Sequence, residues 1–125
     1  MEAEIREEWP ALLKNWHDKP EEVIMPEGES IKDVSERSVE AFEKICLSQK
    51  DNDQTLIVAH DAVNKTLICN ILGINYSNIW MIKQGNGGIT IIDLFNDPKK
   101  PPVISALNIT THLGGILDST ASGAL

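Results

Sequence analysis

His60 and Asp61 are the residues whose types and placement could carry out chemistry. They follow residues 55–59, a short apolar run typical of a buried strand, and precede a helical pattern that ends at Gly73. A strand that leads directly into a helix places the residue between them at the carboxyl edge of a sheet, where open α/β folds bind ligands. The unpaired N–H groups at the start of the helix would favour an anion such as phosphate beside His60.

Both residues also have simpler structural explanations. Asp61 could give a proton to a leaving group if burial and a neighbouring phosphate kept it protonated. An aspartate at a helix start is more often a cap, however, and a lone histidine is more often a polar residue with satisfied hydrogen bonds. Spacing alone therefore favours the structural interpretation of both residues.

The helices that would position this pair have recognisable starts. Residues 2–18 place apolar side chains on one helical face, and Pro10 predicts either a kink or two short helices, with Pro10 first in the second. Ser30 followed by Asp33 is a variant of the capping box, so a helix is predicted to begin there and to run to about Ser48.

The second half of the chain predicts two further strands. Residues 89–95 follow the glycine-rich GNGG stretch, and Val103–Ile109 follow a proline-rich turn as an antiparallel neighbour. A short helix is predicted at residues 78–83. Helices that alternate with strands predict an α/β fold with a three-layer α/β/α sheet. The weakly patterned residues 114–125 are predicted to be a flexible surface tail.

Composition limits the classes of partner. The 125 residues are 42% hydrophobic and 24% charged, which is typical of one globular domain, and the net charge of -8 would repel nucleic acids and anionic membranes. No apolar run is long enough to span a bilayer. Two cysteines and a first segment unlike a signal peptide indicate a reducing compartment, so we expect a cytoplasmic protein.

The segment TLIVAHDAVNKTLICNILGI resembles the second-histidine motif of the histidine phosphatase superfamily, the phosphoglycerate-mutase-like proteins, in which an apolar strand precedes His-Gly and a helix. PEGESIKDVSER resembles the Gly-Glu-Ser helix start of that family, which an arginine follows. QGNGGITIIDL and VISALNITTHL resemble its last two strands. The resemblance covers nearly all of the chain and is greatest to cyanobacterial members that carry His-Asp-Ala-Val-Asn at this point.

The resemblance also shows what this sequence does not contain. Family members form a phosphohistidine on an Arg-His-Gly motif of an early strand, but His17, His60 and His112 each lack both flanking residues. The resemblance therefore implies that residues 1–125 are the C-terminal portion of one domain, without its N-terminal strand, and inactive or nearly so alone. An unpaired strand edge recruits other strands, so we expect a homo-oligomer or a complementing N-terminal segment.

Three site residues follow from the resemblance at the central motif. His60 matches the second histidine, whose implied role is to hydrogen-bond the transferring phosphoryl group. Asp61 replaces the commoner glycine and matches the proton donor of the acid-phosphatase branch. Lys65 stands where many members have an arginine, so it is expected to contribute charge to phosphate binding without the bidentate fork.

Arg37, Gln84 and Asn86 are further candidates for binding phosphate or substrate. Each has an alternative role. A salt bridge would occupy Arg37, with acidic neighbours available on its own helix at Asp33, Glu36 and Glu40. Gln84 and Asn86 could simply form the turn that precedes a strand.

Three classes of function remain open on these grounds. The first is part of a phosphatase, or of a mutase, that acts on a small phosphorylated metabolite without metal or organic cofactor. The second is a non-catalytic module that binds phosphate and regulates a partner. The third is an all-helical metal phosphohydrolase of the HD type, with the two His-Asp pairs at residues 17–18 and 60–61 as ligands.

Overall fold

The first helical region consists of two helices, α1 (Glu2–Glu8) and α2 (Pro10–Asp18). The computed structural model describes residues 2–97 and 99–114. Pro10 is the first residue of α2, one of the two arrangements predicted, because a proline at this position sacrifices no helical hydrogen bond. A short 3₁₀ segment, Pro20–Glu22, follows.

Helix α3 (Ile31–Ser48) begins and ends where the sequence predicts. The Ser30 hydroxyl accepts a hydrogen bond from the Asp33 backbone N–H at 3.2 Å, and the Asp33 carboxylate accepts one from the Ser30 backbone N–H at 3.0 Å. Two donors left unpaired at the helix start are thereby satisfied. The Ser30 hydroxyl also donates to the Asp33 carboxylate at 2.6 Å, and this bond, with the bond from the Ser30 backbone N–H, holds the pKa of Asp33 below its ordinary value.

Replacing Ser30 with alanine is expected to lower the free energy of unfolding by about 1 kcal/mol, because the cap hydroxyl is lost. The lowered pKa of Asp33 makes the cap pH-dependent. Its contribution is present above the ordinary carboxyl pKa and is lost as the pH falls through the lowered one. Urea unfolding at neutral and acidic pH measures both effects. Ser48→Ala, at the exposed end of the same helix, is the matched control, and an equal loss in both variants would contradict the capping role.

Helix α4 (Asp61–Leu72) lies at the centre of the packed region. It ends at Gly73, whose φ of 67° is the left-handed conformation that glycine adopts most easily, as predicted. The 3₁₀ segment Tyr76–Met81 packs against α4 and replaces the predicted short helix. A buried core joins these elements with α3 and consists of Ile31, Ile68, Cys69, Ile79 and Ile82. Within residues 2–97 and 99–114, no helix is long and apolar enough to cross a membrane.

The sheet consists of two antiparallel strands, β1 (Ile89–Asp93) and β2 (Val103–Ile109). β2 has the predicted bounds, whereas β1 ends two residues before the predicted end. The pairing is irregular between Ile89 and Ile92, where the register shifts twice. Another 3₁₀ segment, Thr111–Leu113, follows β2. The predicted tail at residues 114–125 lies outside the described residues, apart from Gly114.

The strand predicted at residues 55–59 is wrong. This segment has no regular secondary structure, and Leu56 and Val58 are each 86% exposed. A strand needs a neighbour to pair its backbone N–H and C=O groups, and the part of the chain that the structure describes provides none here. Helices and strands are both present, as the α/β prediction requires, but the described sheet has two strands and lies elsewhere in the chain.

Candidate phosphate-binding site

His60 lies at the amino end of α4, as predicted, but its predicted place at the carboxyl edge of a sheet is wrong, because residues 55–59 form no strand. It is the N-cap residue in an extended conformation (φ −74°, ψ 162°), and its side chain is exposed. The His60 carbonyl accepts the first helical hydrogen bond, from the Asn64 N–H at 3.0 Å, while its ring makes no capping bond. The Asn64 side chain also bonds the Ala59 carbonyl, at 3.2 Å, and so connects the preceding segment to the helix. The imidazole therefore projects into solvent beside the positive end of a twelve-residue helix.

Asp61 and Lys65 form an ion pair one helical turn apart. The Lys65 Nζ lies 2.9 Å from Asp61 Oδ2, and the lysine is buried, with only 4% of its surface exposed. Its ammonium group also lies 4.7 Å from the centre of the Trp80 ring, which is a cation–π distance. Lys65 therefore contacts a carboxylate and an aromatic ring, and not the solvent in which a phosphate would arrive. Its predicted contact with phosphate stays a prediction.

The second carboxylate oxygen of Asp61 has a different environment. Asp61 Oδ1 is buried and has no hydrogen-bond partner among the residues that the structure describes. A buried acceptor without a partner costs free energy, so such atoms commonly mark the place of a proton, a water molecule or a ligand group. Asp61 thus presents one oxygen held by Lys65 and one that is available for a further hydrogen bond.

Arg37 is occupied by an acidic side chain outside its own helix. Its Nε and Nη2 donate to the two carboxylate oxygens of Glu29 at 2.7 and 2.8 Å. The predicted alternative, a salt bridge, is present, but its predicted partners on α3 are wrong because Glu29 precedes the helix. The bonds from Arg37 lower the pKa of Glu29. A phosphate contact by Arg37 stays a prediction and would have to displace this bidentate pair.

Gln84 and Asn86 lie on either side of Gly85 in the turn before β1. Gln84 is buried, with its amide 3.3 Å from the Thr90 hydroxyl, whereas Asn86 is exposed. The Asn108 side chain on β2 accepts a hydrogen bond from the Gly85 N–H at 2.7 Å. A Cβ at Gly88 would lie 2.4 Å from the same oxygen, so this glycine is required for close approach. These contacts support the structural role of the turn, and pocket roles for both residues stay predictions.

The structure thus brings together His60, Asp61 and Lys65 at one end of α4. Arg37 and Gln84 have partners elsewhere. Sequence interpretation did not identify Trp80 as a neighbour of Lys65, because residues distant in sequence meet only through packing. The Asp61–Lys65 pair did have a signal, since an acidic residue four positions before a lysine is the favoured arrangement on a helix.

Comparison with known proteins shows the family of the chain and excludes one of the three functional classes. A family model for the histidine phosphatase superfamily (branch 1) matches residues 1–109. The chain belongs to the histidine phosphatase superfamily. This membership confirms the predicted family and shows that the interpretation as an HD-type metal phosphohydrolase is wrong. Within the described ranges, no three potential metal-ligating side chains cluster together.

Proteins named as phosphatases are among the relatives. Phosphoserine phosphatase 1 of Hydrogenobacter thermophilus is 29% identical over 111 residues, which are 89% of this chain and 51% of that protein. The 2-carboxy-D-arabinitol-1-phosphatase of Triticum aestivum is 25% identical over 86% of this chain and 21% of its own length. The chain therefore spans about half the length of the first relative, and less of the second. A closer resemblance to cyanobacterial members stays a prediction.

Solved structures support the fold class. Bacillus stearothermophilus YhfR superposes with a TM-score of 0.71 at 24% identity, over 82% of this chain and 50% of its own. A mutant phosphoserine phosphatase from Entamoeba histolytica, in complex with phosphoserine, superposes with a TM-score of 0.57 at 29% identity, over 69% of this chain and 42% of its own. The predicted phosphoglycerate-mutase-like α/β fold is confirmed.

Proposed function

We propose that this chain is the C-terminal portion of a cytoplasmic histidine-type phosphatase, and that it binds the phosphate of a small phosphorylated metabolite beside His60. The observation that carries the proposal is the exposed His60 ring at the amino end of α4, within a chain of this superfamily. Phosphoserine and 2-carboxy-D-arabinitol 1-phosphate, after which two relatives are named, are both phosphate monoesters that carry a carboxylate. We therefore favour a small phosphorylated acid as substrate.

The arrangement suits hydrolysis by a phosphohistidine route. The His60 ring and the free N–H groups of α4 would donate hydrogen bonds to the phosphoryl oxygens, where negative charge develops during transfer. Asp61 lies at the same helix end and is the proposed proton donor to the leaving oxygen, with Oδ1 as the oxygen that Lys65 does not hold. The nucleophilic histidine would come from an Arg-His-Gly motif outside this sequence.

The exposed apolar segment at residues 55–59 supports a partner for the isolated chain. Leu56 and Val58 are almost fully exposed although they adjoin the proposed site. We propose that a complementing N-terminal segment, equivalent to the half of the relatives that this chain does not match, pairs with residues 55–59 as a strand. A second copy of the chain is less favourable, because each copy has a net charge of -8.

The proposed cytoplasmic location rests on the two cysteines. Cys46 and Cys69 are free thiols, and burial raises the pKa of both. Free structural thiols are typical of a reducing compartment.

A mutase fragment and a non-catalytic phosphate-binding module remain the alternatives. The phosphatase is favoured because the relatives with assigned activities are phosphatases.

Titration with inorganic phosphate tests the binding site. We expect the His60 ring signals in NMR spectra to shift most, because its ring is nearest the proposed anion position, and His60→Ala to weaken binding about tenfold or more, as for loss of a charge-assisted bond. His17 and His112 provide internal controls in the same spectra. The His112 ring lies 3.0 Å from the Gly87 carbonyl and should be unaffected. Equal shifts at all three histidines, or unchanged binding by His60→Ala, would contradict the site.

A further inference from the structure

Lys65 differs from the other paired lysines of the helices. Lys14–Asp18 and Lys44–Glu40 are also four positions apart, at 2.6 Å each, but both pairs are well exposed. Exposed pairs of this kind contribute little to stability because water screens them. Lys65 instead has a side chain that is 5% exposed, and its partner Asp61 has one that is 28% exposed. A charge is retained at such depth only when a partner compensates for its lost hydration.

From this geometry we infer that Lys65 is a positioning residue that balances the charge of Asp61 and does not itself bind phosphate. The inference rests on the proposed phosphate site at His60. Asp61 is the first residue of α4, so its carboxylate occupies the helix end at which the anion would bind. Without a compensating cation, that carboxylate would repel the anion at short range. The Lys65 ammonium lies 2.9 Å from Oδ2, so its positive charge compensates for the charge of Asp61 and reduces this repulsion.

The same contact fixes the direction of the carboxyl group. Lys65 Nζ holds Oδ2, and the Trp80 ring lies 4.7 Å from Nζ, so the ammonium has an aromatic wall on one side and a carboxylate on another. The Trp80 indole N–H donates to the Trp16 carbonyl at 2.8 Å, which connects this wall to α2. Among the described residues, Oδ1 is consequently the carboxylate oxygen without a hydrogen-bond partner.

A double-mutant cycle tests the inference, with inorganic phosphate as the probe. Lys65→Met is expected to weaken phosphate binding about tenfold or more, because Asp61 is left as an uncompensated negative charge at the site. Adding Asp61→Asn to that variant should restore affinity to within about threefold of the wild type, since the repulsion is then gone. Lys44→Met, which removes an exposed lysine from α3, is the charge-matched control and should leave affinity nearly unchanged.

The outcomes separate the possible roles of Lys65. If Lys65 contacted phosphate directly, the loss in Lys65→Met would persist in the double variant, and the inference would be overturned. Unchanged affinity in Lys65→Met would overturn it as well. A wild-type chain that binds no phosphate would instead refute the proposed function. NMR spectra report whether each variant is folded, and Lys65→Gln, which keeps a donor but removes the charge, replaces Lys65→Met if that variant does not fold.

Discussion

The isolated chain is expected to hydrolyse p-nitrophenyl phosphate no faster than buffer does. A phosphohistidine route requires a nucleophilic histidine, and none of the three histidines in this sequence lies in an Arg-His-Gly motif. His60 could hold a phosphoryl group at the start of α4, but holding the group does not supply the covalent step. Release of p-nitrophenol, followed by absorbance at micromolar enzyme, gives the measurement.

Joining the complementing N-terminal segment proposed above is expected to produce turnover. A fusion that places the N-terminal half of the Hydrogenobacter thermophilus relative before this chain is expected to be faster than the chain alone by about 10³-fold or more, as for restoring a nucleophile. Hydrogen exchange should also become slow at residues 55–59 in the fusion, because their backbone would then pair with a strand.

Two controls make the comparison specific. The same fusion with the histidine of its Arg-His-Gly motif changed to alanine should be inactive, and His60→Ala in the active fusion should lower kcat by about 10² to 10³, the range for losing one donor to the transition-state charge. Clear hydrolysis by the unfused chain that disappears in His60→Ala would show instead that this chain is catalytically complete.

Elements whose ends depend on local chemistry could be predicted from the sequence. The Ser30 hydroxyl and the Asp33 carboxylate define the start of α3 through bonds within four residues, and Gly73 ends α4 through its own conformation. The strand Val103–Ile109 could be predicted for the same reason, because its partner strand β1 lies only a few residues before it in the sequence. In each case the deciding contacts join residues near one another in the chain.

Features that depend on distant partners could not be predicted in the same way. Residues 55–59 have the composition of a buried strand, but composition does not provide the neighbour that a strand requires. The charge of Lys65 predicts a phosphate contact because it is visible in the sequence, whereas the burial of Lys65 against Trp80 arises from packing between α4 and the Tyr76–Met81 segment. For Arg37, the chosen partner Glu29 lies eight residues away, beyond the spacing of neighbours on a helix.

Leucine-to-alanine substitutions at a buried and at an exposed position are expected to have unequal effects on the free energy of unfolding. Leu67 on α4 is 8% exposed and Leu56 is 86% exposed, although the sequence places both in apolar runs. Leu67→Ala is expected to lower the free energy of unfolding by about 2–5 kcal/mol, from lost burial and the cavity left behind. Leu56→Ala removes the same atoms from solvent-exposed chain and should change stability by less than about 0.5 kcal/mol. Urea unfolding followed by circular dichroism compares the two variants.

The same two variants also show whether residues 55–59 are exposed in solution or covered by another chain. If Leu56 is buried by a second copy in solution, Leu56→Ala should also be destabilising, and the loss should depend on protein concentration because dissociation accompanies unfolding. A concentration-independent, near-zero effect beside a large loss in Leu67→Ala supports the description of residues 55–59 as an open surface. In the active fusion, where a strand would cover this surface, Leu56→Ala should become destabilising by about 2 kcal/mol or more, as for a buried leucine.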